Sequence, residues 1–346
     1  VSEGTMLNQV GVGEVFLQRR ERLAVRYTKF VFLQISLVVT STFLTFLYYV
    51  LVISHLPLYD VSILGKSVLI FNISRIFIGM GATYAVMHKV PRLIREREFE
   101  KASSLIIIIL KQGLLFSLII ATSIGFGLGL YLGVPIKYLL LTISYDILFI
   151  VFQHFLIAYN AWMEITKSSL IRNVRLLIFY LSIITIFLVL GNLDAIYYGW
   201  LFSTLILLPI VVIFNPIRGI NSQNRERTES LYDLIIFGLP QFVNYALLTF
   251  NSYLDQLFVA IFFTSEAFAI YFVLTRITRS ISNVISSIRT GIIPTLSYFV
   301  GDGEKEKKVF GLFFKFTIII ITGPFIIASI FIANFRHTLL VRLYLS

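Results

Sequence analysis

Nine apolar runs, each close to the length that crosses a bilayer, follow one another along this chain. They lie near residues 30–53, 63–87, 104–130, 136–157, 171–190, 196–214, 235–263, 267–295 and 309–332. About 20 apolar residues span the hydrocarbon core. Backbone polar groups in lipid must be satisfied within the segment itself, so all nine are expected to be helices. The architecture that follows is an all-α polytopic membrane protein of about 9 transmembrane helices. Of the 346 residues, 58% are hydrophobic and 14% charged, whereas soluble domains carry roughly 25% charged residues.

Basic residues give this map an orientation. Arg19, Arg20, Arg22, Arg26 and Lys29 precede the first run, and Lys89, Arg92, Arg95, Arg97 and Lys101 follow the second. Lys167, Arg172 and Arg175 follow the fourth, Arg218, Arg225 and Arg227 the sixth, and Lys305, Lys307 and Lys308 the eighth. The opposite side holds Lys137, Arg336 and Arg342. Lysine and arginine collect in cytoplasmic loops, so the amino terminus is expected in the cytoplasm. The same bias accounts for the net charge of +11 without a nucleic-acid partner. Residues 1–26 form a polar cytoplasmic segment with no apolar signal core.

The runs also repeat. Phe30, Gln34, Thr42, Phe43 and Leu47 recur 207 positions later as Phe237, Gln241, Thr249, Phe250 and Leu254. In both copies an uncharged turn, a second apolar run and a charged linker follow, and such a period signals duplicated units. Six spans return the chain to its starting side, so the copies share one orientation, related by an axis along the membrane normal. This predicts a first six-helix lobe at 27–214, a cytoplasmic linker at 215–233, and a partial second lobe of three helices at 234–346. A complete second copy would run past residue 420, so the second lobe is expected to be truncated.

Charges inside the apolar runs are the functional candidates, because each costs at least about 2.5 kcal/mol at membrane depth. The basic ones are Lys66, Arg75, Lys111, Arg276, Arg279, Arg289 and Lys315, and the acids are Asp146 and Asp255. A basic interior suits an anionic ligand. Arg276 and Arg279 share a helical face with Ser280, Asn283 and Ser287. Arg75, with Asn72 and Gly79 on its face, is the first lobe's counterpart. Guanidinium forks match phosphate oxygens bidentately, so Arg75, Arg276, Arg279, Asn72, Asn283 and Lys111 form the candidate phosphate or pyrophosphate site. Structural pairing of the arginines with Asp146, Asp255 or helix-end carbonyls is the competing reading. Snorkelling to the interface equally explains Lys66, Lys111 and Lys315. Asp255 either pairs with an arginine or holds a coupling cation.

Other chemistry finds little support. There are no cysteines, and His55, His88, His154 and His337 show no metal-ligand spacing, so no metal site, cofactor or catalytic residue is expected. Gly125, Gly127 and Gly129 lie inside an apolar run with no preceding strand, which reads as close helix packing rather than a dinucleotide loop.

Several stretches resemble the polysaccharide flippases of the multidrug/oligosaccharidyl-lipid/polysaccharide exporter superfamily, in the O-antigen (Wzx-type) branch. They are Phe237-Gly238-Leu239-Pro240-Gln241, Asn251-Ser252-Tyr253-Leu254-Asp255, and Ser265-Glu266-Ala267-Phe268-Ala269-Ile270-Tyr271. Pro294-Thr295-Leu296-Ser297 and Gly303-Glu304-Lys305-Glu306-Lys307 close the unit. The first lobe offers Gly79-Met80-Gly81-Ala82 and Phe99-Glu100-Lys101-Ala102. The resemblance implies a two-lobed bundle with a cationic central cavity. It implies alternating access that moves an undecaprenyl- or dolichyl-linked oligosaccharide across the plasma membrane, beside glycosyltransferases of the same pathway. By position, Arg75 and the Arg276/Arg279 pair match cavity arginines, and Asp255 matches a cation position whose ion, Na+ or H+, stays open. Two alternatives stand beside this one. A multidrug/cation antiporter of the superfamily would call for acidic cavity residues. A membrane glycosyltransferase or polymerase would call for larger outer loops than the short connections here.

Overall fold

A computed structural model describes residues 51–213 and 229–276, together with 40, 41, 43–45, 47–49, 278, 279, 311 and 315. Among the described residues the secondary structure is helical, with no β-strand. The chain divides into two compact units, Leu44–Thr278 and the termini Val1–Phe43 with Arg279–Ser346. The first unit contains every element described below.

After a single 3-10 turn at Ile53–His55, α1 runs from Leu58 to Ser74. Pro57 precedes its first turn and Asp60 lies within it, the usual start signals of a helix. A 3-10 turn, Arg75–Phe77, ends α1. Gly79, Met80 and Gly81 then take positive φ angles of 70°, 33° and 96°. Three such residues in succession cannot continue a right-handed helix. The chain restarts as α2, Ala82–Arg95, with its axis turned by 51°. The run expected at 63–87 is therefore a broken span, not a single straight helix.

The next span is continuous but irregular. Helix α3 (Phe99–Ile108) passes through a π-helical turn, Ile109–Gly113, into α4 (Leu114–Tyr131). Gly133 at φ 67° and Pro135 turn the chain into α5, Ile136–Ala161. Met163 at φ 65° separates α5 from α6, Ile165–Leu190, and Gly191 at φ 65° closes α6. Helices α7 (Leu193–Ile213) and α8 (Leu231–Phe262) follow. Ser230 and Asp233 form a reciprocal capping box at the start of α8. Residues 265–276 form α9.

Five of these segments are long and apolar enough to cross a membrane, and the bent α1–α2 pair makes six. They match the runs expected at 63–87, 104–130, 136–157, 171–190, 196–214 and 235–263, extended in several places by a turn or more. Most of each of the runs at 30–53, 267–295 and 309–332 lies outside the described residues. Large apolar side chains such as Leu188, Val189, Leu247 and Phe262 point outward, as a lipid-facing surface requires.

The interior is aromatic and closely packed. Phe71, Tyr145, Phe149, Phe179, Tyr197 and Trp200 form one connected set of ring contacts between α1, α5, α6 and α7. Small residues bring helices together. A Cβ on Gly199 would lie 2.7 Å from the Ile183 backbone, and one on Gly238 would collide with the Gly81 carbonyl. Gly81 and Gly238 thus hold the start of α2 against α8, immediately beyond the break.

Candidate functional site

Arg75 stands at the break, midway along the α1–α2 pair. With the helix interrupted, its side chain turns onto ring faces instead of continuing a helical surface. Its guanidinium carbon lies 5.1 Å from the centroid of Phe71 and 4.6 Å from that of Phe149. A second arginine reaches the same ring from α6. Arg175 is 8% exposed, with its guanidinium carbon 4.8 Å from Phe149 and 5.6 Å from Phe152. Its Nη1 donates to the Tyr145 hydroxyl at 3.4 Å. Its Nε has no hydrogen-bond partner among the described residues. Two like charges beside one ring repel each other, and each gains from the ring's negative face.

A carboxylate lies near Arg75. Asp146 on α5 is 1% exposed, and its Oδ2 accepts the hydroxyl of Ser74 at 2.6 Å. Ser74 immediately precedes Arg75, so this bond ties the break to α5. The Oδ1 atom of Asp146 has no partner among the described residues. A polar layer borders the break on its other side. The Gly79 amide donates to Ser117 Oγ on α4 at 2.8 Å, and Ser117 Oγ also lies near Gly113 and His154. Two guanidinium groups and one carboxylate leave an excess of positive charge among aromatic rings. Guanidinium groups in such a setting can hold an anion by charge-assisted hydrogen bonds.

The family model described as "Polysaccharide biosynthesis protein" matches residues 56–345. The chain belongs to this family. The resemblance to polysaccharide exporters carried by the motifs above is borne out by that match. With its six described spans, this member of the polysaccharide biosynthesis family is a multi-pass membrane protein. Among solved structures it is similar to the MATE multidrug transporter DinF-BH, at 14% identity and a TM-score of 0.48. That alignment covers 91% of this chain and 75% of the other. No curated protein matches it.

The expected site residues of this family member are placed as follows. Arg75 is at the break, and Asn72 is buried one turn earlier with its amide donating to the Val68 carbonyl at 2.7 Å. Lys111 is exposed in the π-helical turn. Arg276 is half-buried on α9, its guanidinium carbon 5.3 Å from the centroid of Phe272. Arg279 is half-buried and belongs to the other compact unit. Asn283 lies outside the described residues. Asp255 is exposed on α8, where its Oδ2 accepts the Tyr271 hydroxyl at 2.5 Å. Lys66 donates to the Leu132 carbonyl at 3.0 Å, a helix-end role of the kind cations fill at C-termini.

Arg175 is a functional candidate that the charge pattern does not single out. It is counted with the cytoplasmic basic residues although it falls within the run expected at 171–190, and the structure buries it on α6, well past the first turn. A signal for it exists. Ser168, Arg175 and Ser182 recur every seven residues and are all buried, so they mark one inward helical face. Ser74, Ser117 and His154 escape sequence reasoning too. They are single polar residues in apolar runs, and only their partners on other helices reveal them.

Proposed function

We propose that this protein is a lipid-linked oligosaccharide flippase, an exporter rather than an enzyme. In this reading, Arg75 and Arg175 receive the phosphate or pyrophosphate of an undecaprenyl- or dolichyl-linked saccharide. Arg276, Arg279, Asn283 and Lys111 serve the same anion at other stages of the passage, and Asp255 takes a coupling cation. Two related lobes expose the site to each face of the plasma membrane in turn, with the amino terminus in the cytoplasm. One observation carries the reading. Arg75 stands at the broken middle of a spanning helix, beside Arg175, with no hydrogen bond or ion pair to the described residues. Discontinuous helices at mid-membrane are where transporters build substrate sites, and an intramembrane arginine with no direct ion pair among the described residues is available to a ligand.

The test is translocation in proteoliposomes with a fluorescent undecaprenyl-pyrophosphoryl saccharide. A lost charge-assisted hydrogen bond is worth about 1.5–3 kcal/mol, or about a ten- to hundredfold loss of rate. Arg75→Ala and Arg175→Ala should each reach that range, and the exposed Lys137→Ala should not. Wild-type rates in both arginine variants would remove the anion clamp. A wild-type protein that moves cationic dyes and no lipid-linked saccharide would remove the flippase assignment.

A further inference from the structure

One stripe of α8 faces the rest of the bundle, and it opens in the middle. Gly238, Phe242, Tyr245, Thr249, Tyr253, Gln256 and Ala260 recur at three- and four-residue steps, the spacing of a single helical face. Gly238 and Phe242 are buried at one end of the stripe, and Gln256 and Ala260 at the other. Between them Tyr245 is 39% exposed, Thr249 is half-buried, and Tyr253 rests only partly on the core. From Phe242 to Gln256 the helix rises roughly 21 Å, at about 1.5 Å per residue. Over that length α8 stands off from the bundle on the very face that packs above and below.

The opening lies beside the helix break. Gly81 and Gly238 meet backbone to backbone, and the ring of Phe77 lies 6.4 Å from that of Phe242. These contacts pin the break to α8 at one end of the gap. Arg75 lies within electrostatic range of Tyr245 and Tyr253, so both tyrosines are on the side of α8 that it faces. The ring of Tyr84, one turn past Gly81 on α2, lies 6.1 Å from that of Tyr245. Neither the Tyr84 nor the Tyr245 hydroxyl has a hydrogen-bond partner among the described residues. Tyrosines of membrane proteins collect at the interfaces or find a partner for the hydroxyl. Tyr84 beside the break and Tyr245 midway along α8 do neither.

The chemistry of the gap selects its occupant. A tyrosine presents an apolar ring face and a hydroxyl that both donates and accepts. A sugar ring is built the same way, with C–H groups on its faces and hydroxyls around its edge. A prenyl chain would cover the tyrosine rings and leave their hydroxyls without partners, at a cost in free energy. We propose that Tyr84, Tyr245 and Thr249 form a saccharide subsite beside Arg75, which receives the sugar ring attached to the carrier's pyrophosphate. The inference rests on the flippase reading and adds to it the contact that tells a glycosylated carrier from a bare one.

The experiment measures binding of two carriers to the full chain in lipid nanodiscs, by native mass spectrometry. They are undecaprenyl pyrophosphate and undecaprenyl-pyrophosphoryl-N-acetylglucosamine, and the quantity read is the ratio of their affinities. Wild type should favour the glycosylated carrier by about tenfold, the worth of one or two neutral hydrogen bonds. Tyr84→Leu and Tyr245→Leu should each lower this ratio by about three- to tenfold, and Tyr245→Phe, which keeps the ring, by about twofold. The phenylalanine variant decides the matter should a leucine variant fail to fold. Arg75→Ala should weaken both carriers together and preserve the ratio. A wild-type ratio of one or less overturns the subsite and leaves the flippase reading standing. An unchanged ratio in the tyrosine variants does the same, including the case in which both carriers weaken equally because the gap holds the prenyl chain. A wild-type chain that binds neither carrier overturns both.

Discussion

Replacing Gly238 with alanine would test whether the break is held by direct backbone contact between α2 and α8. A Cβ built at Gly238 collides with the carbonyl of Gly81, and the carbonyl carbon and Cα of Gly81 lie just behind it. All three are backbone atoms, so no side chain can rotate away. The helices must separate, or the left-handed turn at Gly81, φ 96°, must rearrange. Overpacking a well-filled contact costs about 1–3 kcal/mol, and a backbone obstacle places this substitution at the upper end. Gly127 is the control. It has nothing within 4 Å of its would-be Cβ, and an unobstructed helical Gly→Ala change is neutral or gains up to about 1 kcal/mol. Unfolding in mixed micelles can be followed by fluorescence of the two tryptophans, Trp162 and Trp200. Gly238→Ala should unfold at lower SDS fraction than wild type, and Gly127→Ala at an equal or higher one. Equal midpoints for the two variants would refute the claim that Gly81 and Gly238 touch through their backbones.

The remaining predictions use the same assay. Ser74→Ala strips the buried Asp146 of its hydroxyl donor and should cost about 1–3 kcal/mol. The same change should cost much less in an Asp146→Ala background, because the pair is then already broken. Tyr197→Phe removes the 2.7 Å hydrogen bond to Ser67 and should cost about 1 kcal/mol. Phe149→Leu removes a ring shared by two cations, each contact being worth about 0.5–2 kcal/mol. Its effect should fall clearly when Arg175→Leu is already present. Lys137→Ala breaks an exposed pair with Asp194 and should leave the midpoint unchanged, as solvent-screened pairs contribute little.

The spans are legible in the sequence because hydropathy over twenty residues depends on composition and not on detail. Six of the expected runs coincide with helices, and the outer boundaries of α4, α5 and α7 fall close to where apolar residues stop. The break is not legible in the same way. Gly79, Met80 and Gly81 sit in a continuous apolar stretch, and hydropathy has no means of registering a change in φ. The three glycines of α4 read as packing residues, and two of them are. Gly125 faces Ile143 and Ile70, Gly129 faces Leu139, and Gly127 faces outward. Their i, i+2, i+4 spacing already places only the first and last on one helical side. Arg175 is passed over because it lies near the start of the run expected at 171–190, where a basic residue reads as part of the cytoplasmic cluster. Arg75 is recognisable as an interior charge, but its neighbour Arg175 comes from a helix much later in the chain. Only tertiary packing brings such residues to one ring.

That shared ring has a further consequence. Phe149 gives both positive charges a surface to rest on, so neither can change without altering the setting of the other. A lineage that loses Arg175 leaves Arg75 as the single cation on that ring and relieves the repulsion it feels. Drift at these three positions should therefore occur in concert, and any relative that handles a differently charged cargo should have rebuilt all of them as a set.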